Sequence, residues 1–337
     1  MQTPYRIIAS ISGGKDSGAM GLWLMEQGIS FEPVFCDTGW EHPETYRYVR
    51  EVLPRVFGPI AELRSTPPAL APDVEALALA FEARLGFPSP FVRWVLAKGM
   101  FPSRVVRFCT EELKVFPMRA HFRRLISAGE TRRIVNTVGI RAQESRSRGK
   151  MPERERWAAD ARGDLNVEIW RPLIRWTFED VVSIHQRHGL KPNPLYFDQD
   201  TERVGCYPCI HARKAEIKTI SAFERGRIDI IRDLESVCTE MARARSALRA
   251  LKPWPVGLDE DDEQRERELR DPDHPRQRRT FFHPEADDRA GIDEVVQWAQ
   301  TDRGGRQFML DLPDGAADGC MRWGMCETGG GDRGDVA

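Results

Sequence analysis

Six consecutive residues near the start of the chain, Ser12 to Ser17 (SGGKDS), have the composition of a phosphate-binding loop. They follow the apolar run 5–11 (YRIIASI) and lead into 17–27, where apolar residues recur at helical spacing. A loop between a strand and a helix directs its backbone N–H groups and the positive end of the helix dipole at one position. The pattern therefore predicts an anion site at this junction.

The residue types in this loop suit a phosphate chain. Gly13 and Gly14 have no Cβ to block its approach, and Lys15 supplies positive charge for a leaving pyrophosphate. Asp16 can bind Mg²⁺ or cap the helix, and further hydroxyl groups come from Ser12 and Ser17. The GxxxxGK[ST] spacing of a Walker A loop is absent, which argues against γ-phosphate transfer. The simpler alternative is a glycine-rich turn with a capping serine.

A second chemical pattern is the C-x2-C pair formed by Cys206 and Cys209. The chain has seven cysteines, an odd number that argues against a disulfide framework and for metal binding or redox chemistry. This spacing occurs in zinc sites, thioredoxin-like pairs and iron–sulfur sites, and alone it does not choose among them. A thioredoxin-like pair would follow the first strand of its fold, whereas this pair follows several predicted strands.

The elements that position these residues alternate between strand and helix. We predict a helical insertion at 67–100 and an α/β fold with a doubly wound, mostly parallel sheet over 1–215. The predicted strands are 5–11, 31–36, 59–64, 133–140 and 167–173, and the predicted helices are 17–27, one that begins at Pro43, 115–128 and 177–188.

The remainder, 216–337, is predicted to be a mainly helical and charged extension. Helical periodicity runs through 213–251, and 292–301 is a shorter helix. The segment 258–279 is so rich in charge that we expect a loop or a partly ordered linker there.

Bulk charge excludes little, because 50 basic residues nearly balance 52 acidic ones. No apolar run approaches the roughly 18 residues of a membrane span, and the N-terminus lacks a signal layout, so we expect a cytoplasmic protein without a membrane partner. Arginine is concentrated in 119–156, with tryptophans nearby. This segment suits a nucleic acid or nucleotide, although solvated helix faces are the simpler interpretation of any single arginine.

Several ordered motifs give the chain a resemblance to a known family. SGGKDS resembles the PP-loop of N-type ATP-pyrophosphatases, and RFCTEELKVFP (107–117), GIRAQESRSR (139–148) and NPLY (193–196) resemble segments of the phosphoadenosine phosphosulfate (PAPS) reductase family in its broad sense. The resemblance implies an adenine-nucleotide alpha hydrolase fold with ATP across the carboxyl ends of the strands. It further implies that Asp37 and Thr38 lie near the adenosine, and that the phosphate or substrate side is lined by Lys114, Arg141 and Arg146.

The intact loop separates this chain from the reductase branch of that family. True reductases typically have a degenerate loop and a Glu-Cys-Gly nucleophile, whereas this chain keeps SGGKDS and has Met325-Cys326-Glu327-Thr328 near its end. We therefore expect an ATP-pyrophosphatase and sulfurtransferase that splits ATP between its α and β phosphates, with Lys15, Asp16 and Arg141 as the catalytic residues. The expected acceptor is a nucleic acid or nucleotide, and the expected sulfur donor is a protein such as a cysteine desulfurase.

The resemblance also bears on the cysteines. Iron–sulfur members, including the sulfur-inserting enzyme of DNA phosphorothioation, have a C-x2-C pair at this point and another cysteine where Cys109 lies. We therefore expect a 4Fe-4S cluster on Cys109, Cys206 and Cys209, with zinc as the alternative. The reductases have a Cys-Cys pair where this chain has Phe108-Cys109, so the fourth ligand is expected to be Cys326 or Cys320.

Two other functions remain open at this point. One is a genuine PAPS or adenylyl-sulfate reductase that releases sulfite. The other is a non-catalytic subunit of a modification or defence complex, which senses ATP and docks partners through the charged extension.

Overall fold

The computed structural model describes residues 5–103, 106–158, 165–198, 201, 203–282 and 289–301. Six strands form one sheet with the order β3-β2-β1-β4-β6-β5. The strands are β1 (Arg6–Ser10), β2 (Glu32–Asp37), β3 (Ala61–Arg64), β4 (Ile134–Val138), β5 (Arg154–Arg156) and β6 (Val167–Trp170).

Thirteen α-helices are present in the described part of the chain, several of them short. Those of the sheet-containing region are α1 (Lys15–Glu26), α2 (Pro43–Arg47), α3 (Pro54–Phe57), α4 (Pro72–Leu85), α5 (Pro90–Lys98), α6 (Phe108–Thr110), α7 (Phe116–Ser127), α8 (Phe178–Arg187) and α9 (Leu195–Asp198). Those that follow are α10 (Lys214–Phe223), α11 (Arg225–Ala250), α12 (Glu260–Arg270) and α13 (Ile292–Ala299).

The predicted α/β class and mostly parallel sheet are confirmed. Every pairing among β3, β2, β1, β4 and β6 is parallel, and β5 alone runs antiparallel, against β6. All five predicted strands are present. The sixth, β5, was not predicted because its three residues, Arg-Glu-Arg, are all exposed and carry no apolar alternation.

Both faces of the sheet are covered, as expected for parallel strands. In β1, Ala9 faces the core that contains α1 and α8, whereas Ile8 faces the core that contains Phe122 of α7. Neighbouring residues therefore serve opposite sides, and the three central residues of the strand, 7–9, are all apolar. Helix α1 packs against α8 on the first of these sides, which fixes the start of α1 beneath the phosphate loop.

The helical insertion and the C-terminal extension share a third core. Phe91 of α5 and Leu234 of α11 belong to it, together with Trp40, Phe101 and Phe281. Trp40 and Phe91 stack with ring centroids 4.6 Å apart. The extension thus packs on elements that follow β2 and β3, near the carboxyl ends of those strands.

The prediction of a loop or linker at 258–279 was wrong, because Glu260–Arg270 forms α12. Asp259 caps this helix by accepting a hydrogen bond of 2.8 Å from the amide of Asp262. The first turn is acidic and the last turn carries arginines, which complements the helix dipole. Glu266 also pairs with Arg249 of α11, so charge stabilises this helix where composition indicated disorder.

Candidate functional site

The phosphate loop has a backbone that only glycine adopts easily. Gly13 has φ +75°, and a Cβ there would lie 2.9 Å from Val49 and 3.0 Å from Thr45. The Asn193 side-chain amide, which follows α8, donates to the Gly13 carbonyl at 3.4 Å. The loop is therefore held from the α2 side and from the segment after α8, and a larger residue at position 13 would displace it.

The two serines of the loop shape it from within. The Ser12 amide donates to the Ser17 hydroxyl at 3.1 Å, and that hydroxyl donates to the Gly14 carbonyl at 2.9 Å. The Lys15 amide donates to the Tyr196 hydroxyl, also at 3.1 Å. The two hydroxyl groups, which the sequence predicts as phosphate ligands, fix the turn in this structure, because that of Ser12 lies 3.1 Å from that of Ser17.

Lys15, Asp16 and Arg141 form a buried chain of charges at the start of α1. Lys15 Nζ lies 3.2 Å from one carboxylate oxygen of Asp16, and Arg141 Nε donates to the other. Burial disfavours the charge on Lys15, but Tyr196 and Asp16 outweigh it and raise the pKa of this amine above its usual value. Two cations share one anion, so the group retains positive charge where a phosphate chain would bind.

Two further residues, His185 and Gly139, contact the backbone that carries Lys15 and Asp16. The buried ring of His185 has Nε2 2.9 Å from the Lys15 carbonyl and Nδ1 3.0 Å from the Leu190 carbonyl. A Cβ on Gly139, just past β4, would lie 2.5 Å from the Asp16 carbonyl oxygen. His185, Asn193, Tyr196 and Gly139 are site residues that were not predicted from the sequence. The motifs NPLY and GIRAQESRSR contain three of them, and His185 carried no comparable signal.

A cavity of about 260 Å³ opens at the carboxyl ends of β1, β2 and β4. Ser12, Cys36, Lys114, Asn136 and Trp157 are among the residues that line it. The chain passes from β1 to β2 on one side and later to β4 on the other. Ligands of doubly wound sheets bind in the crevice at such a reversal of strand order, and here the cavity adjoins the phosphate loop.

Asp37 and Thr38, the residues expected near the adenosine, point into the protein. Asp37 accepts hydrogen bonds from Tyr46 and from the Gly39 amide, both at 2.9 Å, and pairs with Arg64. Thr38 donates to Glu41 at 2.7 Å and is fully buried. Neither lines the cavity, where Cys36 and Glu41 are found instead. In this structure the pair shapes the turn after β2.

The C-x2-C segment lies against that same turn. The Tyr207 amide donates to the Trp40 carbonyl at 2.8 Å, and the Trp40 indole donates to the Pro208 carbonyl at 3.0 Å. Cys109, in α6, contacts the same core as Cys206. Burial raises the pKa of Cys206 to about 12, against the opposing charge of Lys114 and with further increases from Glu41, Cys209 and Cys109. Cys109 and the Cys206–Cys209 pair, which the sequence predicts to bind one metal centre from two separate segments, are thus close enough for Cys109 and Cys209 to affect the ionisation of Cys206.

The described residues include three of the four cysteines predicted to hold the metal centre, Cys109, Cys206 and Cys209. Within the described ranges, no group of three or more His, Cys, Asp or Glu side chains is placed to hold a metal ion. Cys320 and Cys326 lie outside the described residues. The donor set agrees with a soft metal centre in residue type, because thiolates suit iron–sulfur clusters or zinc, but three thiols from the described part are not yet a complete site.

Lys114 lies between the cavity and the cysteines, whereas Arg146 lies outside the cavity lining. Lys114 lines the cavity, and its pKa is raised chiefly by Cys206, with burial opposing and with further increases from Glu41 and Cys36. Arg146 is exposed in the loop after Arg141 and is not part of the cavity lining. Cys238 is fully buried in the core that α11 shares with α5, and it packs there as an apolar side chain.

Fold and site together define a class, a nucleotide-binding α/β protein with a glycine-rich phosphate loop at the switch point of its sheet. The comparisons agree. Residues 6–212 match the model of the phosphoadenosine phosphosulfate reductase domain. The chain belongs to the PAPS reductase family.

Individual proteins are similar to all or part of this chain. An uncharacterized 37.8 kDa protein in the gpa 5′ region of Escherichia phage 186 is 32% identical over 327 residues, which is 90% of each chain. Adenosine 5′-phosphosulfate reductase of Allochromatium vinosum is 33% identical over 75 residues, covering 22% of this chain and 27% of that protein. The PAPS reductase of Candida auris, a crystal structure, superposes with a TM-score of 0.40 at 17% identity, covering 60% and 81% of the two chains. None of the described helices is long and apolar enough to cross a membrane.

Proposed function

We propose that this protein cleaves ATP between its α and β phosphates, attaches AMP to an acceptor oxygen, and passes sulfur to the activated acceptor. The acceptor in this proposal is a nucleic acid or nucleotide. The observation that carries the proposal is the buried chain Lys15, Asp16 and Arg141 beside an intact SGGKDS loop. Lys15 and Arg141 place two cations at the end of this loop, where they would stabilise the charge of a leaving pyrophosphate.

The residues act through position and charge. An acceptor oxygen attacks the α-phosphorus, the bond to the bridging oxygen breaks, and pyrophosphate departs with the electron pair. Lys15 and Arg141 stabilise the charge that accumulates on this leaving group, and Asp16 holds both cations in place. A sulfur nucleophile then forms its bond to the acceptor as AMP leaves, so activation and sulfur transfer are separate displacements.

The implied cofactors fit this site to different degrees. Both carboxylate oxygens of Asp16 are engaged by Lys15 and Arg141, so Asp16 is not free to bind Mg²⁺ in this arrangement, and we derive no step through that ion. We propose that Cys109, Cys206 and Cys209, with Cys326 or Cys320, hold a 4Fe-4S cluster. Such a centre would hold or activate the sulfur to be transferred.

ATP cleavage is tested by comparing a substitution of Lys15 with a control substitution of Lys252. Purified protein is incubated with ATP, magnesium and candidate acceptors, and AMP and pyrophosphate are measured. Lys15→Ala should reduce their formation by about 100-fold or more, as the loss of one preorganised charge does elsewhere. Lys252→Ala, an exposed lysine in the extension, is the matched control and should keep full activity. Absence of ATP binding and of both products in the intact protein would refute the proposal.

The cluster needs its own experiment. Anaerobic purification, an iron and sulfide assay and an absorption spectrum distinguish an iron–sulfur centre from zinc. Cys209→Ser should lower the bound iron, whereas Cys238→Ser, in a buried packing position, should not. A preparation with zinc and no sulfide would replace the cluster in this proposal with a zinc site.

A sulfite-forming reductase is the second candidate. It is favoured by the family match and by the similarity to an adenosine 5′-phosphosulfate reductase over 75 residues. Sulfite production that depends on thioredoxin, without ATP cleavage, would select it.

A further inference from the structure

The interior strand β4 carries a polar residue where an apolar one is expected. Asn136 lies in this strand, between β1 and β6, and is only 6% exposed. Asparagine is depleted in strands, and a parallel strand that is covered on both faces is normally apolar. Strand pairing aligns Asn136 with Ile8 of β1, so both residues face the side of the sheet that α7 covers. A buried amide at this position needs hydrogen-bond partners.

One side of the Asn136 amide has a partner, and the other side has none. The Ser10 hydroxyl donates to Asn136 Oδ1 at 2.9 Å, which fixes the orientation of the amide. Asn136 Nδ2 donates no hydrogen bond within the part of the chain that the structure describes. Ser10 and Asn136 both line the cavity at the carboxyl ends of the strands. A nearly buried N–H group without a partner costs free energy unless a bound molecule accepts from it.

The wall of the cavity around this amide suits a neutral aromatic ring. Val34, Met118 and Trp157 belong to its lining. The ring of Trp157 lies 5.3 Å from that of Phe122 between centroids, at an interplanar angle of 74°. Packing against the core therefore holds the indole in place at the cavity. Tryptophan is a good stacking partner for a nucleobase, and apolar pockets with a few placed polar groups are typical of ligand sites.

The phosphates of a nucleotide have a separate place beside this cavity. Ser12 of the phosphate loop is part of the lining. The charged residues of the lining are Glu41 and Lys114, which have opposite signs, so the cavity offers no excess of positive charge. A nucleotide whose phosphates lie against the loop can therefore place its base beside Asn136.

We propose that Asn136 recognises the adenine base of the bound nucleotide, with Nδ2 donating to N1 of the ring. The inference rests on the proposed binding of ATP and names the residue that distinguishes its base. N1 of adenine is an acceptor, whereas N1 of guanine or hypoxanthine carries a hydrogen and would face the amide donor as a second donor. Ser10 is the positioning residue, because its hydroxyl engages the amide oxygen and leaves the amide nitrogen for the base.

The experiment compares ATP with inosine triphosphate, whose base differs from adenine in the 6-oxo group and the N1 hydrogen. Calorimetric titration gives both dissociation constants for the full-length protein and for Asn136→Asp, which replaces the donor with an acceptor. Asn166→Asp is the matched control, because Asn166 is exposed and its amide donates only to the Arg132 carbonyl, at 3.2 Å. The ratio of the two constants is the readout, since a general weakening of triphosphate binding affects both. Thermal unfolding reports whether each variant is folded.

The parent protein should bind ATP about 10-fold more tightly than inosine triphosphate, or better, which is the effect of one buried donor left unpaired. Asn136→Asp should reverse this preference, and Asn166→Asp should keep it. Ser10→Ala should reduce the preference without reversing it. Equal affinities in the parent protein would overturn the inference whether or not the variants fold. An unchanged ratio in folded Asn136→Asp would overturn it as well.

Failure of this inference is distinguishable from failure of the proposed function. If ATP is cleaved but the ratio does not respond to Asn136→Asp, the base is recognised elsewhere and the proposed function stands. If Asn136→Asp reverses the preference but the parent protein forms neither AMP nor pyrophosphate, the proposed function fails and this inference stands. A parent protein that binds neither triphosphate would refute both.

Discussion

Near the amino ends of β1, β2 and β4 lies a cavity of about 900 Å³, whereas the one at their carboxyl ends has about 260 Å³. The larger cavity is lined by Arg6, Glu32 and Arg133. Each of its lining arginines is ion-paired, because Arg6 pairs with Glu32 at 3.1 Å, and Arg133 and Arg154 share Glu168. Size and charge are therefore both present at this end.

The carboxyl end differs in how its charges are arranged. Asp16 is shared by two cations there, as Glu168 is at the amino end, but the charged group is buried and the backbone of the loop beside it is fixed by residues from separate segments of the chain. An anion would meet preorganised donors at this end and compensated ion pairs at the other. The volume of a cavity is thus a poorer guide to chemistry in this protein than the arrangement of the polar groups around it.

The largest expected effect comes from Gly139→Ala. The added Cβ would lie 2.5 Å from the Asp16 carbonyl oxygen and 2.8 Å from Ser17 Cα, and both atoms belong to backbone that cannot move alone. We expect a decrease of about 1 to 3 kcal/mol in the free energy of unfolding, together with weaker ATP binding. Urea unfolding and calorimetric titration with ATP measure the two effects.

Gly226→Ala provides the control for this change. Gly226 lies on an exposed turn of α11 with nothing within 4 Å of an added Cβ. Stability should stay the same or rise by about 0.5 to 1 kcal/mol. If Gly139→Ala leaves ATP affinity intact, the end of β4 does not position the loop, and the carboxyl end is less preorganised than its contacts indicate.

Arg141→Gln should affect catalysis more than folding. It removes the Nε donor to Asp16 and one of the two cations of the buried chain. We expect ATP cleavage to fall by about 100-fold, as after removal of one preorganised donor. Arg148→Gln changes a partly exposed arginine of the same loop, paired with Glu144, and should leave cleavage almost unchanged. Equal decreases in both variants would assign the effect to the loop in general and not to Arg141.

The sequence predicted the sheet and the phosphate loop because both depend on local patterns. A continuous apolar strand, a pair of glycines and a helical repeat are all visible within about 20 residues. Supporting contacts such as His185 to the Lys15 carbonyl join residues 170 positions apart, and no local pattern encodes them. Charge composition was misleading at α12, because the ion pair between Glu266 and Arg249 forms only when α12 packs against α11.

The inward orientation of Asp37 has a similar origin. The resemblance predicted that Asp37 lies near the adenosine of a nucleotide at the carboxyl ends of the strands. Asp37 is indeed the last residue of β2, at that end of the sheet. The partners that draw the carboxylate inward, Tyr46, Arg50 and Arg64, come from three other elements. Which way a side chain points at the end of a strand depends on such tertiary partners, which the sequence did not identify.

Acid should destabilise the two ends of the sheet at different pH. Burial lowers the pKa of His185 below its ordinary value of 6.5, although hydrogen bonds to two carbonyls oppose the shift. The stability that the neutral His185 ring gives to the folded protein is therefore complete above pH 6.5 and is lost as the pH falls below that value. At the amino end, His121 is the main cause that holds the pKa of Glu32 below 4.5, with partial burial opposing and Arg6 assisting. The stability that the ionised Glu32 carboxylate gives to the folded protein is lost only at lower pH, when Glu32 is protonated.

His185→Gln separates the two responses. Glutamine has no charge to gain, so the part of the pH dependence that lies below pH 6.5 and above the Glu32 transition should become flatter. The free energy of unfolding is measured by urea titration from about pH 5 to pH 8, the range in which histidine titrates. His188→Gln, just past the end of the same helix but paired with Glu26 at the surface, is the control. An unaltered pH profile in His185→Gln would show that protonation of this ring does not cause the loss of stability below pH 6.5.

The smallest effect is expected from Arg133→Gln at the amino end. Arg133 pairs with Glu168, which also binds Arg154 at 2.7 Å, so the carboxylate keeps one partner after the substitution. Exposed ion pairs of this kind contribute about 0.2 to 1 kcal/mol, and the variant should lie at the lower limit of that range with ATP cleavage unchanged. The same assays as for Arg141→Gln apply. If Arg133→Gln reduced cleavage to a comparable extent, the large cavity would take part in the chemistry, and the arrangement of polar groups would no longer distinguish the two ends of the sheet.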